Sequence, residues 1–122
     1  MPVIAVIGAS SDRSKFGNKA LRAFRAQGYT VVPINPHESE IEGEQAYARV
    51  TDYPHQIDEA TLYVRSDAGV RVMDDLAAKG IGVVWLNPGA DAPRVVARAR
   101  TLGLDARVAC SILAVGESPA RY

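Results

Sequence analysis

The stretch "IAVIGASSDRSKFGNKALRAF", Ile4 to Phe24, decides how the rest of this chain is read. It opens with an apolar run that ends at Gly8. Small and hydroxyl-bearing residues follow, and then a segment with helical spacing, in which Phe16, Ala20, Leu21 and Phe24 share one face. A short run of this kind, without polar alternation, suits a strand covered on both faces of a parallel sheet. Gly8 permits a sharp turn at the strand end, and Ala9 lets backbone approach a ligand. Ser10 and Ser11 offer hydroxyls. The helix is expected to start near Phe16 or Gly17, where its unpaired N–H groups and positive dipole end favour an anion. Gly17 would let the helix pack close to the sheet or to a pyrophosphate, and Arg13 and Lys15 add positive charge. The loop is therefore the first place to look for a phosphate-bearing ligand.

Two familiar phosphate loops do not fit. A G-x-x-x-x-G-K-[ST] loop needs a second glycine where Arg13 stands. A G-x-G-x-x-G dinucleotide fingerprint meets Ser10 and Arg13 at its later glycines, and the second strand ends in Asn35-Pro36, with no carboxylate at its tip for a ribose diol. NAD or FAD in the usual mode is disfavoured. A plain strand-to-helix turn would share the same small polar residues.

Outward from this unit the same grammar recurs. A helical pattern ends in Gln27-Gly28-Tyr29 before "TVVPI", in Lys79-Gly80-Ile81 before "GVVWL" and in Leu102-Gly103-Leu104 before "DARVA". Glycine accepts the left-handed conformation that closes a helix. Val70, Met73, Leu76 and Ala77 share a face, as do Val95, Val96, Ala99 and Leu102. Ser66 and Asp91 are expected as N-caps, with Pro93 in a first turn. With "ATLYV" as a further strand, the alternation predicts right-handed β-α-β crossovers in an α/β, doubly wound, mostly parallel five-stranded sheet with helices on both faces. Residues 36–58, "PHESEIEGEQAYARVTDYPHQID", break the pattern. They read as an irregular connection with one short helical turn or a small extra strand. Glu38, Glu40, Glu42 and Glu44 within it read as a solvated loop.

The 122 residues suit one domain, residues 1–122, with a tail from about 112 expected to be mobile. Formal net charge is zero and no run of like charge occurs, so charge points to neither nucleic acid nor an anionic membrane. No apolar run is long enough to span a bilayer and no signal peptide is visible, so a cytoplasmic protein is expected. A single cysteine excludes an internal disulfide, and with two distant histidines it offers no metal spacing. No catalytic constellation is legible. Cys110 reads first as a small buried hydrophobe, and in the sharper reading as a thiol beside a ligand thiol.

Other strand ends should face the same edge as the loop: Asn35-Pro36-His37, Val64-Arg65-Ser66 and Asn87-Pro88-Gly89. Together with "VIAVIGASSD" (residues 3–12), "FGNKALRAFRAQGYTVVPINP" (16–36), "IEGEQAY" (41–47), "VRSD" (64–67), "VVWLNPG" (83–89) and Cys110, they give a chain that resembles the CoA-binding-domain family. These are small stand-alone Rossmann-like proteins similar to the CoA-binding domain of the succinyl-CoA synthetase alpha subunit. G-A-S-S after the first strand and G-Y-x-V-x-P-x-N-P around the second are the strongest marks.

The resemblance implies coenzyme A, or an acyl-CoA, as ligand. Gly8, Ala9, Ser10, Ser11, Lys15, Phe16 and Gly17 would hold the pyrophosphate. Asn35 and Pro36 would border the adenosine end, with His37 or Lys15 near the 3′-phosphate. Val64, Arg65, Asn87, Pro88 and Gly89 would flank the adenine or pantetheine path. Two departures stand out. Val64 precedes a single Arg65 where the family often has two basic residues. Val108-Ala109 stands where Asp-Arg often precedes the cysteine.

The expected function is non-catalytic CoA binding, alone or with an unseen protein partner or a second copy. Two alternatives stay open. One is an NADP-linked or other nucleotide-dependent small oxidoreductase, since Arg or His can accept a 2′-phosphate. The other is a ligand-free interaction domain.

Overall fold

A computed structural model describes residues 2–122, apart from the side chain of Ser66. Its main sheet has five strands: β1 Val3–Ile7, β2 Thr30–Ile34, β5 Glu59–Leu62, β6 Val83–Leu86 and β7 Asp105–Val108. They lie in the order β2-β1-β5-β6-β7 and every pairing is parallel. The helices are α1 Phe16–Ala26, α2 Ser66–Lys79, α3 Pro93–Thr101 and the short α4 Ser111–Ala114. The chain runs from β1 to β2 on one side and returns to β5 on the other. The strand order therefore reverses between β1 and β5, where an open α/β sheet forms its crevice.

The period of two along each strand divides the core into two layers. From β1, Ile4 and Val6 join Ala20, Leu21 and Phe24 of α1. Ala5 and Ile7 face the other way, toward Met73 and Leu76 of α2 and Val95 and Ala99 of α3. The inner strands are covered on both faces, which is why they read as apolar runs, whereas the edge strand β7 is mostly exposed.

The helix–glycine–strand joints take one form three times over. Tyr29 N donates to Phe24 O (3.1 Å), Ile81 N to Leu76 O (3.0 Å) and Leu104 N to Ala99 O (2.9 Å), each across a glycine with positive φ. This is the six-to-one closure that leaves an apolar residue just past the glycine.

Several local expectations are corrected. The N-caps are Arg65 and Ala92, not Ser66 and Asp91; Gly69 N already bonds to Arg65 O, so α2 starts at Ser66 itself. Asp91 instead accepts a bond from Gly89 N (3.2 Å). Pro93 holds the first turn of α3 as predicted. Phe16 is 54% exposed, because the first residue of α1 overhangs the sheet edge instead of facing its core.

Residues 36–58 hold both features the sequence left open. A hairpin forms from β3 Glu40–Ile41 and β4 Glu44–Gln45, and a 3-10 turn spans Val50–Asp52. Three of the four glutamates there are not merely solvated. Glu44 pairs with Arg25, Glu42 with Arg13, and Glu38 reaches the first loop.

The tail packs against the α1 layer. Ile112 is fully buried against the α1 layer, Gln27 donates to the buried Glu117, and Arg22 Nη2 donates to Tyr122 O (3.1 Å). A four-residue helix is too short to carry an apolar period, so nothing in the sequence signals this packing.

Candidate functional site

The loop after β1 is built around two glycines that have no room for a side chain. A Cβ on Gly8, which sits at φ +91°, would lie 2.9 Å from Tyr63 O and 3.1 Å from Val64 Cγ1. A Cβ on Gly17 would lie 2.2 Å from Gly8 O. The first turn of α1 thus rests directly on the loop backbone, while Gly8 passes over the end of β5. Of the two close approaches the sequence allows for Gly17, the one seen here is to the chain itself.

The loop is also tied along its length. Asp12 N donates to Ser10 Oγ (3.0 Å), and Ser14 donates to Asp12 Oδ1 through its amide (3.0 Å) and its hydroxyl (2.6 Å). These bonds from Ser14 hold the Asp12 carboxyl below the usual carboxylate range. Behind the loop, the buried Asn18 donates to Ser10 O (2.8 Å) and Glu42 Oε2 (3.2 Å), while Arg22 donates to Asn18 Oδ1 (2.6 Å) and Arg13 O (3.1 Å). Asn35 Nδ2 donates to Ala9 O (2.8 Å) and Asn35 Oδ1 accepts from His37 N (2.7 Å). The turn chemistry at Asn35 therefore moors the first loop to β2.

The α1 N-terminus has no side-chain cap and no acidic residue in its first turn. Its leading N–H groups have no intrahelical acceptor and leave a positive end at the loop. One carboxylate nevertheless reaches the loop. Ser11 N donates to Glu38 Oε2 (3.1 Å). Hydrogen bonding by Ser11, helped by the charge of Lys15, holds the Glu38 carboxyl below its ordinary range. The β2 tip has no acidic residue of its own, but a carboxylate four residues on comes to the loop.

Two clefts open at this edge and meet over Gly8 and Val64. The one toward β6, about 410 Å³, gathers Gly8, Lys15, Phe16, Gly17, Val64, Arg65, Pro88 and Gly89 from the predicted set, and adds Tyr63, Ala90 and Cys110. The one toward β2, about 540 Å³, takes Gly8, Asn35, Pro36 and Val64, and adds residues such as Arg49 and Val50 after the hairpin and Ala68 and Arg71 on α2. Ala9, Ser10, Ser11 and Asn87 line neither cleft.

Asn87 is buried behind the wall. Its Nδ2 donates to Thr61 Oγ1 (2.7 Å) and Leu62 O (2.9 Å), and its Oδ1 accepts from Ser111 N (2.9 Å). Both amide hydrogens are occupied within the fold. Thr61 and Ser111 share a hydrogen bond (2.8 Å), and Tyr63 Oη lies 3.2 Å from Ser111 Oγ. Burial pushes the Tyr63 phenol up, so it stays protonated at neutral pH. Cys110 is half-buried on the cleft wall, not enclosed in the core as the sequence first suggested. Among the described residues, no three His, Cys, Asp or Glu side chains are grouped to hold a metal ion, and no helix is long and apolar enough to cross a membrane.

A family model described as a CoA binding domain matches residues 2–116. This chain belongs to the CoA-binding-domain family.

Curated relatives include the alpha subunit of ADP-forming acetate–CoA ligase II from Pyrococcus furiosus, 35% identical over 88 residues, which are 70% of this chain and 19% of that one. ADP-forming acetate–CoA ligase I from Archaeoglobus fulgidus is 32% identical over 88 residues, 71% of this chain and 13% of that one. The chain thus spans a fifth or less of the length of these ligases. Among solved structures, a conserved hypothetical protein from Pyrococcus furiosus superposes with a TM-score of 0.85 at 27% identity, covering 93% of this chain and 99% of that one. The apo form of a dinucleotide-forming acetyl-coenzyme A synthetase from Ca. Korarchaeum cryptofilum gives 0.74 at 32% identity, covering 85% and 25%.

Family membership supports CoA binding in general. The expected five-stranded Rossmann-like sheet is present, and every pairing in it is parallel. Among the residues that sequence reasoning missed around this CoA-binding domain's clefts, Tyr63, Ala90, Arg49 and Arg71 carry no motif. Tyr63 and Ala90 were findable as neighbours of Val64 and Gly89. Arg49 and Arg71 lie in segments that only folding brings beside β2.

Proposed function

We propose that this chain binds coenzyme A or an acyl-CoA without transforming it. The pyrophosphate lies at the Gly8–Gly17 loop and the α1 N-terminus. The adenosine enters the cleft beside Asn35 and Pro36, and the pantetheine arm follows Val64, Arg65, Pro88 and Gly89. One observation carries this reading: two clefts meet over Gly8, beside an uncapped helix end, as a long ligand with a charged middle requires. The polar groups behind the cleft floor bond to one another, with Asn87, Thr61 and Ser111 as their hub, which favours holding a ligand over reacting with it.

Thermal unfolding with CoA, acetyl-CoA, NAD, NADP and ATP, each at about 1 mM, tests the proposal; a ligand at a hundred times its dissociation constant adds about 2.7 kcal/mol to the folded state. Stabilisation by the CoA species alone is expected. Stabilisation by NADP alone would replace the proposal with the oxidoreductase, and no stabilisation by any of them would leave an interaction domain.

A second expectation concerns Glu38. Glu38→Gln keeps an acceptor for Ser11 N and removes a negative charge beside the expected pyrophosphate. CoA affinity should rise a few-fold at low salt, and the gain should fade at about 0.5 M salt, where charges more than a few ångströms apart are screened. Titration calorimetry at two salt concentrations reads it. An unchanged affinity at low salt would mean the pyrophosphate lies away from Ser11.

A further inference from the structure

The cleft toward β2 contains a cation that the loop does not use. Arg71 lies on α2 with Ala68 and Val72, and all three line that cleft. Among the described residues, Arg71 is exposed and has no hydrogen bond or ion pair. It has carboxylates close by on its own helix, at Asp67, Asp74 and Asp75. Each is held by another arginine: Asp67 by Arg94, Asp74 by Arg98, and Asp75 by Arg49. Arg49 is the second cation of this cleft. It is paired with Asp75 through two contacts, Nε to Oδ2 (3.1 Å) and Nη2 to Oδ1 (2.6 Å). The cleft therefore presents one guanidinium paired with a carboxylate and one that has no partner among the described residues.

Coenzyme A carries two separate phosphate groups. If the pyrophosphate is at the loop, the 3′-phosphate of the ribose is a second anion on the adenosine side. The family resemblance implied His37 or Lys15 for it. Lys15 lines the opposite cleft, and His37 is exposed and lines neither. A planar guanidinium matches a phosphate by paired N–H bonds.

We propose that Arg71, beside the Asp75-held Arg49, receives the ribose 3′-phosphate and makes this cleft the subsite that distinguishes CoA from 3′-dephospho-CoA. This rests on the CoA reading given above. The two fail in different ways.

Titration calorimetry of the full chain with CoA and with 3′-dephospho-CoA tests it, using the unmodified protein, Arg71→Gln, Arg71→Lys and Arg100→Gln. Arg100 lies on α3 outside both clefts, and its replacement controls for the loss of one positive charge. The unmodified protein should prefer CoA by about tenfold to a hundredfold, the range for hydrogen bonds to a charged group. Arg71→Gln should bring that preference to near unity, with 3′-dephospho-CoA affinity little changed. Arg71→Lys should recover part of it, and Arg100→Gln should keep all of it. With no partner among the described residues to lose, Arg71→Gln should unfold at the unmodified protein's temperature when no ligand is present.

CoA binding without preference over the dephospho form would overturn the inference and leave the CoA reading standing. So would a preference that survives Arg71→Gln. Failure of either compound to bind would overturn both.

Discussion

Replacing Gly17 by alanine is expected to destabilise this protein by at least about 3 kcal/mol, at the severe end for a single methyl group. The added Cβ falls 2.2 Å from Gly8 O, a backbone atom with no rotamer to relieve the overlap. Gly8 cannot withdraw easily, because its N–H donates to Ile34 O (3.1 Å) and Tyr63 O lies beneath it. Withdrawing α1 instead would open the contacts of Ala20, Leu21 and Phe24, all buried, and exposing one large apolar side chain costs about 1.5–3 kcal/mol. Urea unfolding followed by circular dichroism measures the loss. Stability like that of the unmodified protein would show that loop and helix separate freely, and the loop could no longer be treated as one rigid unit. Valine at this position should be worse. Any loss of ligand binding in such variants then reports the collapse of the loop as much as obstruction of a pyrophosphate.

The second large effect is expected at Asn87. Asn87→Ala removes three hydrogen bonds at once and leaves Leu62 O and Ser111 N without their partner in a buried setting. Each orphaned buried group carries a penalty of roughly 1–3 kcal/mol, so a total near 3 kcal/mol is expected. Asn87→Asp should not restore stability. It keeps the acceptor for Ser111 N but turns an oxygen toward Leu62 O, where a donor is needed. Chemical denaturation of both variants provides the measurement. If Asn87→Asp proves as stable as the unmodified protein, the network around Thr61 and Ser111 is not organised by the Asn87 amide. This residue had a ligand-flanking role among the sequence expectations. The structure places its amide behind the wall, where it joins the ends of β5 and β6 to the start of α4.

Local chemistry accounts for what was legible. The joints at Gly28, Gly80 and Gly103 could be recognised because six adjacent residues hold all the groups that make them. The burial of β1 on both faces could be recognised because "VIAVI" has no polar residue to turn toward water. The loop residues could be named because a strand end, a glycine turn and a helix start follow one another directly in the chain.

Where the relevant partners are distant, the sequence has no local sign of them. Asn18 reads as an ordinary helix residue until Ser10, Glu42 and Arg22 meet around it. Glu38 reads as one of several loop carboxylates until it reaches the amide of Ser11, 27 positions away.

Taken alone, the sequence determined the alternating elements, the helix-closing glycines and the candidate phosphate loop, because propensity, periodicity and turn chemistry act over a few residues. Tertiary structure decided the strand order, the two clefts meeting over Gly8, the exposure of Phe16, the packing of the tail and the place of Arg71 in the cleft toward β2. Each of these depends on which distant side chains compete for the same space or the same charge, and that competition exists only once the chain has folded.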